Sequence, residues 1–571
     1  MRPSLRLALP LIALTLLFGV AAMPAQAAQS VSPSQTVWPF PNIAPPKYKL
    51  TSPQALRVAM NSVVGRKLRA EYPGIRARVY VEGIHDGIGY WEVDFEGKNI
   101  QLGEVDLNGV NGKVVKSYTG WQAANYLTRG HMAGITDSWW VWLPLCLLFL
   151  APFFDRRRPF RLLHLDLLVL LSFGISHMFF NQGFVLASVP LVYPVLGYLL
   201  VRMLWAGVRP RSGRGRLVPH ARTSWLVAGL VVLVVLRIVV NIAAHQVIDV
   251  GYAGVAGADR IEHKQPLYLD NEAHGDTYGP VNYLAYVPFE LIFPNHGEWD
   301  SLPAAHAASI FFDLLVIGGL FMAGARLRAG PEGRRLGITL AYAWAAYPYT
   351  LFCLATNTND SFVAALMLFA FVAMRSPIAR GGWLGLGAAA KFIPLALAPL
   401  FAAGTGDRRP RQIGLFGVSL AAVIALSLGI YVPRSSFHDF WGSTIQYQLD
   451  RVSPFSLFTI YPSLHWLQLL LWAGAALLAV AVAFFPRRRD AVQVAALAAA
   501  VIIATQLPAG HWFYFYIVWF TPFVLIALFA AHVPAESEIV VRRTGSARDH
   551  IAERPQRGGK AMLGRRPVAH N

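Results

Sequence analysis

The chain has 571 residues, 55% of them hydrophobic and only 14% charged, with a mean hydropathy of +0.43. That balance excludes an ordinary soluble domain and implies a polytopic membrane protein. A formal charge of +19 would suit a nucleic-acid binder. Its arginines instead collect in short loops between apolar runs, so nucleic acid is not expected as a partner. The two cysteines, Cys146 and Cys353, lie inside apolar runs and offer neither a disulfide framework nor a cysteine metal site.

Residues 1–27 combine basic residues, an apolar stretch and Ala25-Gln26-Ala27, a small-x-small pattern that reads as a signal peptide, with a retained first membrane helix as the alternative. A Pro-rich linker over 28–50 follows. Residues 51–135 read as a small extracytoplasmic α+β domain. "SPQALRVAMNSVVGRKLRAEY" has amphipathic spacing, with Ser52 as the expected N-cap. "ARVYVEG", "GYWEVDFEGKNI" and "LGEVDLNGVNGKVVKS" alternate like strands broken by Gly and Asn turns, giving one helix on a three- or four-stranded antiparallel sheet. With "GWQAANYLTRG", these segments resemble the PepSY-like family over about 70 residues. The resemblance implies an interaction or lid role.

From 138 to 531 apolar runs near the roughly 20-residue membrane span recur. They fall at about 138–154, 162–180, 184–205, 225–244, 303–325, 337–356, 361–375, 413–432, 466–485, 491–507 and 512–531. These predict eleven membrane helices, or twelve if the first segment is kept. "DRRRPFR", "GVRPRSGRGRLVPHAR", "RLRAGPEGRR", "RSPIAR", "DRRPR" and "PRRR" all fall on one side, which is therefore cytoplasmic. The loop 245–302 is acidic, with Asp249, Asp259, Glu262, Asp270, Glu272, Asp276, Glu290, Glu298 and Asp300, and is extracytoplasmic. Residues 532–571 form a basic cytoplasmic tail expected to be disordered.

"GGWLGLGAAAKFIPLALAPLFAAG" (381–404) lies between two basic flanks yet is too short for two crossings, so a re-entrant pair of half-helices broken near "KFIP" is expected. Lys391 within it is either a functional intramembrane charge or a lysine snorkelling from an ordinary helix.

Asp249 follows its apolar helix within five residues, at the depth where a lipid head group meets water, and a carboxylate there can act as a general base. "AGVAGADRI" reads as an interfacial helix, with Tyr268 and Tyr278 as anchors. In "NTND" (357–360), Asn359 and Asp360 either bind sugar hydroxyls or cap the next helix. Arg434 opens an outer loop and asks for a partner such as Asp439. His511 lies in "PAGHWFYFY", either a phosphate donor or part of an aromatic belt. His306 and Asp313 are expected to pack against neighbouring helices. There is no Gly-rich phosphate loop, metal-ligand spacing or Ser-His-Asp arrangement, and neither metal nor cofactor is expected.

Asp249, Tyr252, "AGVAGADRI" and "KQPLY", then "GDTYGPVNYLAYVPF", "ATNTNDSFVAALMLFAF" and "AAAKFIPLALAPL", come in an order that resembles the glycosyltransferase C superfamily. The similarity is closest to its polyprenol-phosphate-mannose-dependent mannosyltransferases, family 87, and covers about 225–531. It departs from the pattern in a shorter "DVGY" spacing and in Asp259, so the base stays open between Asp249 and Asp259. The resemblance implies an all-α polytopic fold of the glycosyltransferase C type. It also implies inverting transfer of a hexose, mannose, from a polyprenyl-phosphate sugar to an envelope glycan or glycolipid outside the bacterial plasma membrane. Lys391, Arg434 and His511 would then face the donor phosphate. Tyr252, Asp276, Tyr278, Asn282, Asn359 and Asp360 would contact sugar or acceptor. A lipid-linked sugar transporter and a non-catalytic membrane sensor are the rival functions.

Overall fold

The computed structural model describes residues 40–85, 88–97, 100–119, 139–181, 184–209, 214–216, 221–244, 247–268, 277–295, 302–406, 409–434, 436–450, 455–530 and 532–533. The segment 1–27, Asp276 and most of the tail lie outside the described residues.

The N-terminal domain has two helices, α1 (Ser52–Met60) and α2 (Val63–Glu71), where the sequence suggested one. Thr51, not Ser52, is the N-cap of α1, because Pro53 sets Ser52 into the first turn. The helical run breaks at Asn61, and Ser62 caps α2 by accepting a hydrogen bond from Gly65 N (3.0 Å). Strands β1 (Arg76–His85), β2 (Ile88–Gly97), β3 (Ile100–Asn108) and β4 (Val114–Thr119) form an antiparallel sheet in sequence order. Their period-2 pattern puts Trp91, Val93, Phe95, Val105 and Leu107 in a core with Ala55, Ala59 and Leu68 of the helices. Trp91 also donates to Leu50 O (3.1 Å). The other face carries Glu92, Asp94, Glu104 and Asp106.

The helical part runs α3 (Trp139–Leu150), α4 (Leu162–Asn181), α5 (Val185–Val208), α6 (Thr223–Ala244), α7 (Asp249–Glu262), α8 (Pro280–Leu284), α9 (Val287–Glu290), α10 (Pro303–Leu327), α11 (Gly330–Ala346) and α12 (Pro348–Ala355). It continues with α13 (Asp360–Val372), α14 (Pro377–Ala390), α15 (Ala398–Ala403), α16 (Pro410–Tyr431), α17 (His465–Phe484), α18 (Ala491–Gln506) and α19 (Ile517–Phe529). The protein is thus a multi-pass helical membrane protein carrying a small α+β domain. Among the described residues six helices are long and apolar enough to cross a membrane, and α11 with α12, bent by 62° at Tyr347, makes a seventh. The other expected spans, at α3, α13, α18 and α19, are shorter helices. The reason lies in burial: α13, α18 and α19 are enclosed along nearly their whole length, so their ends need not match the hydrocarbon thickness. The long α16 and α17 bury few side chains.

The basic segments meet at one end of this bundle. Gln493 donates to Gly207 O (3.0 Å), Arg328 to Ala530 O (3.1 Å), Arg380 to Ala402 O (3.0 Å) and Arg489 to Gly404 O (2.7 Å). The guanidinium groups meet carbonyls left open at helix C-termini, where positive charge is favoured. A second, separate unit includes the described residues 214–216 and 532–533. In it β5 (Arg214–Arg216) and β6 (His532–Val533) pair in parallel.

Candidate functional site

The expected broken hairpin is present. Helix α14 rises 14 residues, about 21 Å, from the basic end. Lys391 then turns extended (φ −142°, ψ 145°), and the chain returns through a 3-10 turn (Ile393–Leu397) and α15. Pro394 enforces the break, since it has no N–H to donate and disfavours helix before it. Arg380 ties the two feet by donating to Met374 O (2.7 Å) and Ala402 O (3.0 Å). Lys391 therefore sits at the tip.

Opposite the tip lies the turn Thr356–Asp360, whose residues bond to different elements in succession. Thr356 O accepts from Ile248 N (3.3 Å), the residue before α7. Asn357, left-handed at φ 58°, places its Oδ1 2.8 Å from Asn241 Nδ2 and its Nδ2 3.2 Å from His306 Nδ1. Asn tolerates that conformation, and the two partners hold it. Asn359 donates to Asn282 Oδ1 (2.7 Å). Asp360 Oδ1 accepts from Lys391 Nζ (2.7 Å) and from Trp519 Nε1 (2.9 Å). Neither Asn359 nor Asp360 caps α13 with its side chain.

Two glycines permit the close approaches. A Cβ at Gly279 would lie 2.0 Å from Ala389 O, and one at Gly251 would lie 2.5 Å from Asn357 O. Gly279 N also donates to Ala390 O (3.1 Å). The first contact brings the Tyr278 ring to 5.0 Å from Lys391 Nζ, with the Trp519 ring at 5.4 Å on the ammonium as well.

Asp249 is the first residue of α7 and is exposed, with its carboxylate accepting from its neighbour Val250 N (2.8 Å). Asp259 lies ten residues on, about 15 Å along the same helix, so the two cannot clamp one ion. It faces His263, whose Nδ1 is 3.1 Å from its carboxylate. The Asp259 backbone carbonyl and then its carboxylate raise the His263 pKa above the usual histidine value. Tyr252 packs against the core shared by α7, α8 and α10.

Of the remaining expected residues, Asn282, Asn359 and Asp360 are buried. Asn282 Nδ2, Asn359 Oδ1 and the Tyr286 hydroxyl find no hydrogen-bond partner among the described residues. His511 is half-buried and contacts Tyr516 (6.0 Å between ring centres), which stacks at 4.2 Å on Trp519. Arg434 ends a 3-10 turn and its side chain lies outside the described residues, while Asp439 is engaged with Ser436 and His438. Tyr268 is buried and donates to Tyr278 O (3.0 Å), so it fixes the loop rather than anchoring it to an interface.

Sequence reasoning missed Arg237, Asn241 and Trp519. Arg237 is 1% exposed and pairs with Asp313 (2.6 Å), while donating to Ala345 O and Thr350 Oγ1 at the α11–α12 bend. A lone arginine in "VVLVVLRIVVNIAA" was the signal, because an ionisable residue in an apolar span demands a partner. His306 and Asp313 do pack against neighbours as expected, through Asn241 and Arg237.

No curated protein matches the chain. Among solved structures, ArnT from Cupriavidus metallidurans bound to undecaprenyl phosphate is similar at 21% identity and a TM-score of 0.41, over 58% of this chain and 64% of that one. The chain thus spans less than two thirds of that protein's length. The model of glycosyltransferase family 87 matches residues 277–535, downstream of Asp249 and Asp259. The match spans the loop that carries Tyr278, the turn Thr356–Asp360, the Lys391 tip and Trp519, so this part of the chain is similar to glycosyltransferase family 87.

Proposed function

We propose that the protein transfers a hexose, mannose, from a polyprenyl-phosphate sugar to an envelope glycan or glycolipid at the outer face of the plasma membrane, with inversion. The observation that carries this is the turn Thr356–Asp360, bonded on one flank to the start of Asp249's helix and on the other to Lys391. A base and a cation held on opposite flanks of one rigid turn suit an acceptor that loses a proton and a lipid phosphate that leaves with its charge. Asp249 serves as the base: it is exposed at the helix start, whereas Asp259 is held by His263 farther along. Lys391 faces the leaving phosphate, with His511 on the aromatic wall behind it. The buried Asn282–Asn359 pair positions the turn, and Tyr252 and Tyr278 remain accessible for sugar or acceptor. The family match supports glycosyl transfer; the gathering of the basic segments at the other end of the bundle supports an outward-facing site.

The test is an assay of purified protein with a series of polyprenyl-phospho-sugars. Asp249→Asn is expected to lower kcat at least 10²-fold, the usual weight of a general base, while Asp259→Asn stays near wild type. Full transfer by Asp249→Asn sinks this assignment, and loss in Asp259→Asn alone moves the base.

A further inference from the structure

Beyond this reading, we propose that the basic end of the α4–α5 hairpin holds the phosphate of an anionic phospholipid, between Arg202 and Arg209. The two helices follow closely in the chain and pack antiparallel, so the first turns of α4 lie against the last turns of α5. There Arg202 Nε donates to both oxygens of the Asp166 carboxylate (2.9 and 3.0 Å), and Tyr198 donates to one of them (2.8 Å). Asp166 is fully buried and grips the guanidinium through this one nitrogen. The two Nη groups of Arg202 make no hydrogen bond among the described residues, although the side chain sits about 9 Å inside the end of its helix. Guanidinium donors at that depth demand an acceptor that the bilayer can supply.

Tyr198, Arg202, Trp205 and Arg209 recur at i, i+4, i+7 and i+11, which places them along one side of α5 and its cap. The Arg209 guanidinium lies 3.5 Å over the exposed Trp205 ring, which takes its face and leaves its N–H edge open. Asp166 neutralises Arg202, so Arg209 supplies the net positive charge and Arg202 the directed donors, a division that suits a phosphodiester. Val201 and Val208 are exposed beside the indole and offer acyl chains a surface. A free phosphate would have to leave water to reach Arg202, whereas a lipid carries its phosphate to the interface between water and hydrocarbon.

The full chain, purified in detergent, is mixed with dioleoylphosphatidylglycerol or dioleoylphosphatidylcholine, and its bound lipids are counted by native mass spectrometry with and without excess inorganic phosphate. Phosphatidylglycerol is expected to bind in preference, and inorganic phosphate not to displace it. Arg209→Gln is expected to weaken phosphatidylglycerol binding about five-fold, the weight of one basic residue at a membrane surface. Arg202→Lys, which keeps a cation for Asp166 but loses the fork, is expected to weaken it as well. Arg334→Gln, which removes an exposed arginine of α11, is expected to bind like wild type. Equal binding of the two lipids overturns the site, as does an Arg209→Gln variant that binds like wild type. A loss in Arg334→Gln as large as that in Arg209→Gln overturns it too, because charge alone then explains the preference. Displacement by inorganic phosphate overturns the lipid as occupant.

Discussion

Lys391 shows how a residue's meaning changes once its neighbours are known. Its place in an apolar stretch marks it as functional, yet the ammonium is already neutralised by Asp360 and boxed by Tyr278 and Trp519. Under the proposed function a donor phosphate would have to share Lys391 with Asp360, whose Oδ1 also accepts from Trp519 Nε1. Lys391→Met leaves the buried Asp360 without its cation and is expected to cost about 3–5 kcal/mol in denaturant unfolding. Adding Asp360→Asn should restore much of that stability without restoring donor binding. Recovery of donor binding in the double variant would reduce Lys391 to a structural charge. The sequence named both residues, but gave them separate tasks because they stand 31 positions apart.

At the scale of elements, the break after α14 was readable from Pro394 and from a length too short for two crossings. The bend between α11 and α12 was not, although Pro348 marks it, because an apolar run of that length passes for one span. The network that holds the bend joins two other helices, through Arg237 in α6 and Asp313 in α10, to Trp344 of α11, whose Nε1 donates to Asp313 Oδ1 (2.8 Å). Asp313→Asn strands a guanidinium that is 1% exposed, and about 3–5 kcal/mol of stability should be lost. An Arg237→Met/Asp313→Leu pair, which removes both charges, is expected to recover most of that loss in the same unfolding assay. If the double variant unfolds as readily as Asp313→Asn, the hydrogen bonds from Arg237 to Ala345 and Thr350 matter more than the charge balance.

Across the whole molecule, stability is divided between separate cores. Among the described residues, the N-terminal core around Trp91 shares no residue with the cores around α7 and α8. Trp91→Ala should cost about 3–5 kcal/mol, as other buried tryptophans do. Hydrogen exchange should show the loss in β1–β4 alone, with α10 to α19 keeping their protection. Faster exchange in both regions would mean that the two parts fold as one.

The sequence by itself determined the membrane class, the basic end, the strand alternation of the N-terminal domain and the hairpin that ends at Lys391. Each of these is written in local composition: hydropathy runs, Lys and Arg placement, period 2, and proline. It also named Asn359, Asp360 and Lys391, though not Asn241 and Trp519, which bond to the turn Thr356–Asp360. The tertiary structure decided which of those residues meet: Asp360 with Lys391 and Trp519, Asn357 with Asn241 and His306, and Ile248 with Thr356. These partners are far apart in the chain, and only helix packing, allowed by Gly251 and Gly279, brings them within hydrogen-bonding distance. Helix length was settled at that level too, since an enclosed helix such as α13 answers to its protein neighbours and a lipid-facing one to the thickness of the bilayer.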